Sequence, residues 1–425
     1  MLIVDDSAVM RNLIGKIVAG SEDLVVAGKA LNGAFALQKI ATLKPDVVVL
    51  DLEMPDMNGI DFLKERKRRG IDVPIVILSS RAERGAQITM EAISLGAADF
   101  IMKPIGAGSE EIFGIAENLA HLLRGYGRIY QETKADEART DESRGQEGAS
   151  LAPLKGSDAG PSGATKAGPP SVGQATDVSI TAPDSPAVDV FESTLRRLQP
   201  EAEWSRRRRA PASVADWGSG FPYPRQAGRF GEGAIEIVAI GVSTGGPNAL
   251  REVLSRIDAR IGVPIVVVQH MPPGFTAEFA RSLAKICPLE VKEAEEGDLL
   301  LPGRVLIAPG ANHLRVDRRP LAAVASLGED APVNGHRPSV GVLFESVARG
   351  FRAGSLAVIM TGMGRDGARE IGEIHRGGGL TIAQDEASCV VFGMPKVAIE
   401  SGAIQYVVPL TDMAPAINWL VENTR

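Results

Sequence analysis

The chain has 425 residues, of which 44% are hydrophobic and 23% charged, and its formal net charge is −7 at pH 7. That length allows two or three globular domains. The mildly acidic balance gives no support for nucleic-acid binding, and no apolar run reaches the length of a membrane span, so we expect neither a nucleic-acid partner nor membrane insertion. The first residues lack a basic-then-apolar leader, and the cysteines, Cys287 and Cys389, are too few for a disulfide framework. Both features predict a cytoplasmic protein with free thiols.

Residues 1 to about 124 alternate short apolar runs with segments of helical spacing. The apolar runs predict strands at 2–4, 24–27, 46–50, 75–78 and 100–102. The segments between and after them predict helices at 9–18, 34–43, 60–69, 86–95 and 110–123. This alternation predicts a doubly wound parallel sheet, in which ligands bind at the carboxyl ends of the strands.

Polar side chains stand at those strand ends: Asp5 and Asp6 after the first strand, Asp51 after the third, Ser79 after the fourth and Lys103 after the fifth. Three carboxylates at one sheet edge repel each other, and a hard divalent cation such as Mg²⁺ resolves that repulsion with oxygen ligands. The lysine offers a compact positive charge for a phosphoryl group. Any one of these residues alone could be an ordinary loop residue, but five at successive strand ends indicate a site.

The motifs DD, LDLEMPDMNG, SS and KP make residues 1–124 resemble the receiver domain of two-component response regulators, which has a flavodoxin-like fold. The resemblance implies that Asp51 accepts a phosphoryl group and that Ser79 and Lys103 contact it. It also implies a Mg²⁺ site, with four groups as ligands: Asp5, Asp6, Asp51 and the backbone carbonyl of Glu53. Receivers usually carry more residues before the DD pair, which leads to the hypothesis that the natural start lies upstream of Met1.

Residues 125–233 change in character. The stretch 131–150 is charged and polar, and 152–186 is dominated by Gly, Pro, Ser, Ala and Thr. Such a composition buries too little apolar surface to offset the entropy of ordering, so we expect a long flexible linker. Residues 191–198 predict one short helical island, and the RRRR cluster at 206–209 is interpreted as a solvated run, because no predicted element supports it.

The stretch IEIVAIGVSTGGPNA at 235–249 predicts a buried strand, a glycine-rich turn and a helix that begins near Pro247. Ser243 lies in that turn, and the pattern from Gly241 to Gly245 fits the G-x-S-x-G arrangement of serine hydrolases, in which N–H groups at a helix start hold an oxyanion. On its own the match is weak, since such a turn could also cradle a phosphate or cap the helix.

The α/β alternation continues to the end of the chain and predicts a second doubly wound, Rossmann-like sheet in a domain of residues 234–425. Strands are predicted at 264–268, 289–293, 304–308, 356–360 and 380–383, with a hairpin over 314–327. Helices are predicted at 247–257, 276–285, 339–350, 368–376 and 414–422.

Ser243, His270 and Asp366 each follow a predicted buried strand, and in a parallel sheet such positions share one edge. Their types match a nucleophile, a general base and an orienting carboxylate. The chain order Ser, His, Asp differs from that of α/β-hydrolases, so that fold is excluded. Each residue alone has an ordinary structural explanation. His336 is the rival base, because polar residues surround it, but the strand before His270 is the next one along the chain after the serine strand.

The motifs GVSTGGP, QHMPPGFT, VKEAEEGD, IAPG, HRPSV, TGMGRDG and AQDEASCVVFGMP make residues 234–424 resemble the catalytic domain of the protein-glutamate methylesterase family of chemotaxis response regulators. The resemblance implies that Ser243 is the nucleophile, His270 the base and Asp366 the carboxylate. It also implies lesser roles for Thr244 beside the nucleophile and for a backbone N–H of the loop at Met363, both in holding the ester and its oxyanion.

The family reaction is hydrolysis of glutamyl methyl esters on cytoplasmic helices of chemoreceptors, and many members also deamidate receptor glutamines. The resemblance therefore implies three things: receptor substrates, a histidine kinase as phosphodonor, and Mg²⁺ in the receiver with no cofactor for the ester step. Alternatives that remain open are the same enzyme in a chemosensory pathway outside chemotaxis, and a non-enzymatic response regulator whose second domain only binds a partner. A DNA-binding regulator is disfavoured by the α/β pattern after residue 233.

Overall fold

A computed structural model of the chain describes residues 1–80, 83–103, 109–149 and 233–424. The first domain is a five-stranded parallel sheet in the order β2-β1-β3-β4-β5, as the alternating pattern predicts. Its strands are β1 (Leu2–Val4), β2 (Gly28–Ala30), β3 (Val48–Asp51), β4 (Ile75–Ser79) and β5 (Asp99–Met102). Its helices are α1 (Ala8–Ala19), α2 (Gly33–Leu43), α3 (Gly59–Arg68), α4 (Glu83–Ser94) and α5 (Ser109–Ala149).

Local sequence signals start the first three helices. The side chains of Ser7, Asn32 and Asn58 each accept a hydrogen bond from a backbone N–H in the first turn of the following helix. Such caps satisfy donors that the helix itself leaves unpaired. Because each cap comes a few residues after its strand, the caps fix where the chain turns away from the carboxyl edge of the sheet.

The second domain is a seven-stranded parallel sheet in the order β14-β13-β12-β6-β7-β9-β8, with a separate antiparallel hairpin of β10 and β11. Its strands are β6 (Ile237–Val242), β7 (Ile265–Gln269), β8 (Glu290–Glu293), β9 (Arg304–Ile307), β10 (His313–Arg318), β11 (Ala323–Gly328), β12 (Ser355–Ile359), β13 (Leu380–Gln384) and β14 (Tyr406–Val408). Its helices are α6 (Gly246–Ser255), α7 (Phe275–Ala284), α8 (Val340–Phe351), α9 (Ile371–Arg376), α10 (Met394–Glu400) and α11 (Leu410–Asn423), with a 3₁₀ turn at Arg352–Gly354.

The central strands explain where the predicted catalytic residues meet. β6 lies between β7 and β12, and all six residues of β6 are buried. The three predicted catalytic residues follow these three neighbouring strands, which places them at one edge of the sheet as expected from the sequence. The fold class predicted for both domains, two doubly wound parallel sheets, is confirmed.

Some predicted elements were wrong or missing. The strand predicted at 24–27 is wrong, because pairing with β1 begins only at Gly28, opposite Leu2, and Val25 is exposed. α10 and β14 were not predicted, since both are short and lack a clear period. The predicted linker lies mostly outside the described residues, as do the helical island at 191–198 and the RRRR cluster.

The last helix of the first domain is longer than predicted. α5 runs to Ala149 rather than ending near residue 123, so the expectation of irregular chain from residue 125 is wrong for residues 125–149. This segment is charged, but its Glu, Ala and Arg residues favour helix, and its first turns are held by packing. Tyr126 is buried with its hydroxyl donating to the carbonyl of Ala98 at 2.8 Å.

α5 also joins the two domains. The guanidinium of Arg128 donates to the carbonyls of Ala387 and Cys389, at 3.3 and 2.8 Å. Gly125 lies so close to the same loop that an added Cβ would come within 2.0 Å of the carbonyl oxygen of Val390. Elsewhere in the interface the rings of Phe100 and Phe275 stack with centroids 5.3 Å apart.

Of the helices within the described ranges, none has both the length and the apolar character needed to cross a bilayer.

The close approach at Gly125 gives a matched pair of substitutions. Gly125→Ala puts a methyl group into the backbone of the 387–391 loop, so we expect the domains to separate locally and deuterium uptake in that loop to rise. Gly127→Ala is the control, because its Cβ would have no neighbour nearer than 4.0 Å. Both changes favour helix formation equally. Equal uptake in the two variants, measured by hydrogen–deuterium exchange, would contradict this account of the interface.

Candidate active site and phosphoryl site

The turn after β6 presents Ser243 at the edge of the sheet. Gly245 has a φ of 83°, in the left-handed region, and precedes α6, which starts at Gly246. A Cβ on Gly246 would come within 1.9 Å of the amide oxygen of Gln269, so the turn and β7 fit together only with glycine there. The amide nitrogen of Gln269 in turn donates to the carbonyl of Ser243 at 3.0 Å. The glycines predicted to break the strand therefore fix the serine against its neighbour strand.

Ser243, His270 and Asp366 form one chain of hydrogen bonds. Oγ of Ser243 lies 3.0 Å from Nδ1 of His270, and Nε2 of His270 lies 2.8 Å from Oδ2 of Asp366. An ionised carboxylate can only accept, so Nε2 of His270 carries the proton and Nδ1 accepts from the serine hydroxyl. The Ser243 residue is 8% exposed, and the side chains of His270 and Asp366 are 8% and 1% exposed.

The carboxylate of Asp366 lies at the N-terminus of α8. Besides His270 it accepts hydrogen bonds from four further donors. These are the Asn334 side-chain amide (3.0 Å), the Ser339 hydroxyl (2.8 Å) and the backbone N–H groups of Val340 (2.7 Å) and Gly341 (3.2 Å). Burial opposes ionisation, but these hydrogen bonds together with His270 hold the pKa of Asp366 well below its usual range. The carboxylate is therefore charged at neutral pH.

The loop before α8 is anchored by a buried histidine. One ring nitrogen of His313 donates to the carbonyl of Ala331 at 3.1 Å, and the other accepts from the N–H of Ser339 at 3.2 Å. This loop carries His336, the rival base. The rings of His336 and His270 are stacked with centroids 3.7 Å apart and an interplanar angle of 11°. Within the described residues, His336 makes no hydrogen bond to Ser243 or Asp366, so His270 is the histidine that bridges these two residues.

Two further candidates, Thr244 and Met363, lie next to the nucleophile. A Cβ on Gly362 would come within 2.8 Å of the Ser243 Cβ, which shows how closely the 362–364 loop approaches the serine. In the described part of the chain the backbone N–H groups of Thr244 and Met363 have no acceptor. Two free N–H groups beside a serine are suited to bind an oxyanion. The hydroxyl of Thr244 is engaged, since it donates to Asn118 of α5 at 3.1 Å.

The carboxyl edge of the first sheet gathers the predicted phosphoryl-site residues. Carboxylate oxygens of Asp5, Asp6 and Asp51 all lie within 4.8 Å of one another. Nζ of Lys103 lies 2.7 Å from Asp51 and 3.7 Å from Oδ2 of Asp5, and that oxygen is buried without a hydrogen bond. Burial and the charge of Asp51 raise the pKa of Asp5. Clustered carboxylates with an unsatisfied buried oxygen fit a hard cation such as Mg²⁺.

The other two predicted residues of this site are Glu53 and Ser79. The backbone N–H of Glu53 donates to Asp51 at 3.2 Å, so the 51–53 turn is folded around the carboxylate. Ser79, Lys103 and Asp51 line one small cavity. The hydroxyl of Ser79 lies 2.6 Å from the hydroxyl of Thr89 in α4, which ties the end of β4 to that helix.

The first domain contacts the nucleophile turn directly. Asp99, at the start of β5, accepts a hydrogen bond from the N–H of Gly245 at 2.7 Å, two residues after Ser243. Burial raises the pKa of Asp99 to about 7, although the N–H groups of Phe100 and Gly245 oppose that shift. With the Thr244–Asn118 hydrogen bond, this puts α5 and β5 of the first domain on the turn that carries Ser243.

Comparison with known proteins identifies the families of the two domains. Residues 238–417 match the CheB methylesterase family model, and residues 1–112 match the response regulator receiver domain model. A protein-glutamate methylesterase/protein-glutamine glutaminase of Treponema denticola is 48% identical over 418 residues, covering 98% of this chain and 97% of the relative. The chain belongs to the protein-glutamate methylesterase/protein-glutamine glutaminase family.

Other members of this family match along nearly the whole chain. The relative from Treponema pallidum is 45% identical over 424 residues, 98% of this chain and 96% of that protein. Among solved structures, the methylesterase catalytic domain of Thermotoga maritima CheB shares 41% sequence identity. It covers 44% of this chain and all of that chain, with a TM-score of 0.43.

Sequence reasoning missed the residues that hold the site in place. Gln269 positions the serine carbonyl, and Asn334 and Ser339 hold the carboxylate of Asp366. Gln269 and Ser339 lie in the recognised motifs QHMPPGFT and HRPSV, but without a predicted chemical role, and Asn334 lies two residues before HRPSV. One signal was available: Ser339 precedes an apolar helical segment and is a natural N-cap, which marks a helix start able to receive a carboxylate.

The hydrogen-bond donors around the Asp366 carboxylate form a cradle, and this cradle predicts a large loss of stability when the carboxylate is removed. Asp366→Ala leaves its buried donors unpaired, and we expect the free energy of unfolding to fall by about 3 kcal/mol. Asp366→Asn keeps one accepting oxygen and should cost less. Asp317→Ala, at an exposed carboxylate of β10, is the control and should stay within about 0.5 kcal/mol of wild type. Urea unfolding measures all three, and equal losses for the Asp317 and Asp366 variants would refute the cradle.

Proposed function

We propose that this protein hydrolyses glutamyl methyl esters on the cytoplasmic helices of chemoreceptors, with Ser243, His270 and Asp366 as catalytic triad. We propose further that it deamidates specific receptor glutamines and that phosphorylation of Asp51 by a histidine kinase activates it. The single observation that carries the proposal is the continuous hydrogen-bonded chain from the serine hydroxyl to the buried carboxylate. Membership of the family supports the substrate class.

The geometry supports acyl transfer through a covalent intermediate. Nδ1 of His270 takes the proton of Ser243 while Oγ attacks the ester carbonyl, and Asp366 stabilises the imidazolium that forms. The tetrahedral oxyanion lies where the N–H groups of Thr244 and Met363 can donate to it. Collapse expels methanol, which takes the proton back from His270. Water then attacks the acyl-enzyme with His270 again as base, releasing the glutamate carboxylate and restoring the serine.

The same groups serve a glutamine side chain. Attack on the amide carbonyl gives an equivalent tetrahedral oxyanion, and ammonia leaves in place of methanol after taking the proton from His270. The acyl-enzyme is then identical in the two reactions, so one set of residues accounts for both the esterase and the glutaminase activity.

For the receiver, we propose that Asp5, Asp6, Asp51 and the backbone carbonyl of Glu53 hold Mg²⁺. When bound, the ion supplies positive charge that neutralises the carboxylates and a phosphoryl group. Lys103 forms an ion pair with Asp51 and is close enough to pair with a phosphoryl oxygen bound there. The Ser79 hydroxyl lies 2.6 Å from the Thr89 hydroxyl of α4 and donates to the carbonyl of Ser80 at 3.1 Å, so donation to the same group requires it to change partners.

This exchange of partners gives a route from Asp51 to the active site. α4 packs against α7 of the catalytic domain, where the hydroxyls of Ser94 and Ser282 lie 3.0 Å apart. A shift of α4 on phosphorylation therefore acts on the interface, and the arrangement in which Asp99 and Asn118 occupy the nucleophile turn becomes less favourable. We propose that this arrangement is the inhibited one.

The assignment of the two sites is tested by separate variants. Ser243→Ala should abolish methanol release from methylated receptors, because no acyl-enzyme can form, while Asp51 still takes up phosphate from a small phosphodonor. Asp51→Ala should keep basal esterase activity but lose activation by the phosphodonor. Methanol release and phosphate incorporation are measured on the same preparations. Full methanol release by Ser243→Ala would exclude the triad.

The buried carboxylate of Asp99 predicts a pH dependence of inhibition. In the closed arrangement its pKa is about 7, while an exposed aspartate has a pKa near 4, so the closed form binds the proton more tightly. The stabilisation that protonated Asp99 gives to the closed arrangement is complete below about pH 4 and is lost as pH rises through 7. The neighbouring Tyr126 stays neutral, because burial raises its pKa well above 10. The ratio of unphosphorylated to phosphorylated activity should therefore rise with pH up to about pH 7 and level off above it.

Removing the Asp99 carboxylate tests whether Asp99 causes the pH dependence of inhibition. Asp99→Ala leaves the N–H of Gly245 without its acceptor at every pH, so we expect basal activity to rise about 5-fold or more and the ratio to lose its pH dependence. Asp61→Ala, at an exposed carboxylate of α3, is the control and should behave as wild type. A ratio that changes with pH equally in the Asp99 variant and wild type would rule out Asp99 as the titrating group.

A further inference from the structure

His336 lies at the active site without a role in the proposed proton transfers. Its ring faces the ring of His270 at 3.7 Å between centroids and nearly parallel, at 11°. Both nitrogens of His270 are engaged, one by Ser243 and the other by Asp366. With both nitrogens engaged, a further residue can hold the His270 ring only through one of its two faces. His336 covers one of these faces.

The loop that carries His336 is built independently of His270. Val333 and His336 exchange two backbone hydrogen bonds of 3.0 Å across a turn in which Asn334 and Gly335 both have positive φ, 52° and 80°. The buried ring of His313 then ties the two ends of the loop together, at Ala331 and Ser339. The backbone position of His336 is therefore set by the loop and not by the residue on which its ring stacks.

The same turn places Asn334 on the carboxylate of Asp366 at 3.0 Å. One loop thus contacts two members of the proposed triad. Asn334 donates a hydrogen bond to Asp366, and the ring of His336 stacks on the ring of His270. A loop fixed in this way resists both rotation of the His270 ring about its side-chain bonds and entry of water over that face.

We propose that His336 is a positioning residue for the acyl transfer: its uncharged ring stacks on His270, keeps that ring in line between Ser243 and Asp366, and screens one face of it from water. This proposal rests on the triad of the proposed function. The stack is useful only if His336 stays neutral while His270 becomes charged, since two imidazolium rings would repel each other.

The electrostatics of the site meet that requirement. Burial, and next the charge on His270, lower the pKa of His336 to about 4, while Asp366 acts in the opposite direction. At neutral pH the His336 ring is therefore uncharged before and during proton transfer. A neutral aromatic face against a forming cation is a favourable contact.

The experiment compares His336→Ala and His336→Phe in the full-length chain, activated with a small phosphodonor and Mg²⁺ and assayed by methanol release from methylated receptors. Phenylalanine keeps a flat ring that can stack and cannot titrate. We expect His336→Ala to lower kcat about 10-fold with little change in KM, because a misaligned base slows chemistry more than binding. His336→Phe should stay within about 3-fold of wild type. Val333→Ala, an exposed side chain of the same loop, should leave kcat unchanged.

The pH profile separates positioning from acid–base chemistry. Because His336 stays uncharged above about pH 5, the acid limbs of His336→Phe and wild type should coincide from pH 5 to pH 8. A Phe variant as inactive as the Ala variant would mean that a ring nitrogen of His336 is required, and would overturn the stacking role. Wild-type kcat in His336→Ala would overturn it as well.

A parallel His270→Ala variant distinguishes failure of this inference from failure of the triad. Loss of activity in His270→Ala together with wild-type kcat in His336→Ala overturns the positioning role alone. Retained activity in His270→Ala overturns the triad and the positioning role together.

Discussion

The turn that follows β6 is the point on which both halves of the molecule depend. Its glycines allow a left-handed residue at Gly245 and a close contact between Gly246 and Gln269, so that Ser243 is held at the sheet edge opposite His270. The next two residues face the first domain, with Thr244 bonded to Asn118 and the Gly245 N–H bonded to Asp99. One short segment therefore carries the proposed nucleophile and contacts the receiver domain. The proposed control of the enzyme then needs no long-range transmission within the catalytic domain.

The charge of the triad is held by the start of a helix. Asp366 is buried, and a buried carboxylate is costly unless its oxygens are satisfied. Here the donors come from the first turn of α8, its N-cap serine and the loop before it. This arrangement keeps Asp366 ionised and His270 in the tautomer whose Nδ1 accepts from Ser243. The HRPSV motif thus supports the proposed active site although none of its residues takes part in the proposed proton transfers.

Much of this was predictable because parallel sheets follow simple rules. Ser243, His270 and Asp366 follow strands that the sequence marks as apolar, and neighbouring parallel strands bring their carboxyl ends together. Other features depend on tertiary contacts that no local pattern reveals. The helical segment 125–149 is charged and resembles a linker in composition, but its first turns pack against both domains. His336 was a rival base by its polar neighbours, and only the ring stack shows its place.

Hydrogen exchange at the amide of Gly245 tests the central claim most directly, because this N–H connects the nucleophile turn to Asp99 of the receiver. The account predicts slow exchange in the unphosphorylated full-length protein and exchange at least about 10-fold faster after phosphorylation. The amide of Gly246, which bonds within the turn to the carbonyl of Ser243, should be unchanged. Equal exchange at Gly245 before and after phosphorylation, in a preparation whose esterase activity rises, would contradict the account.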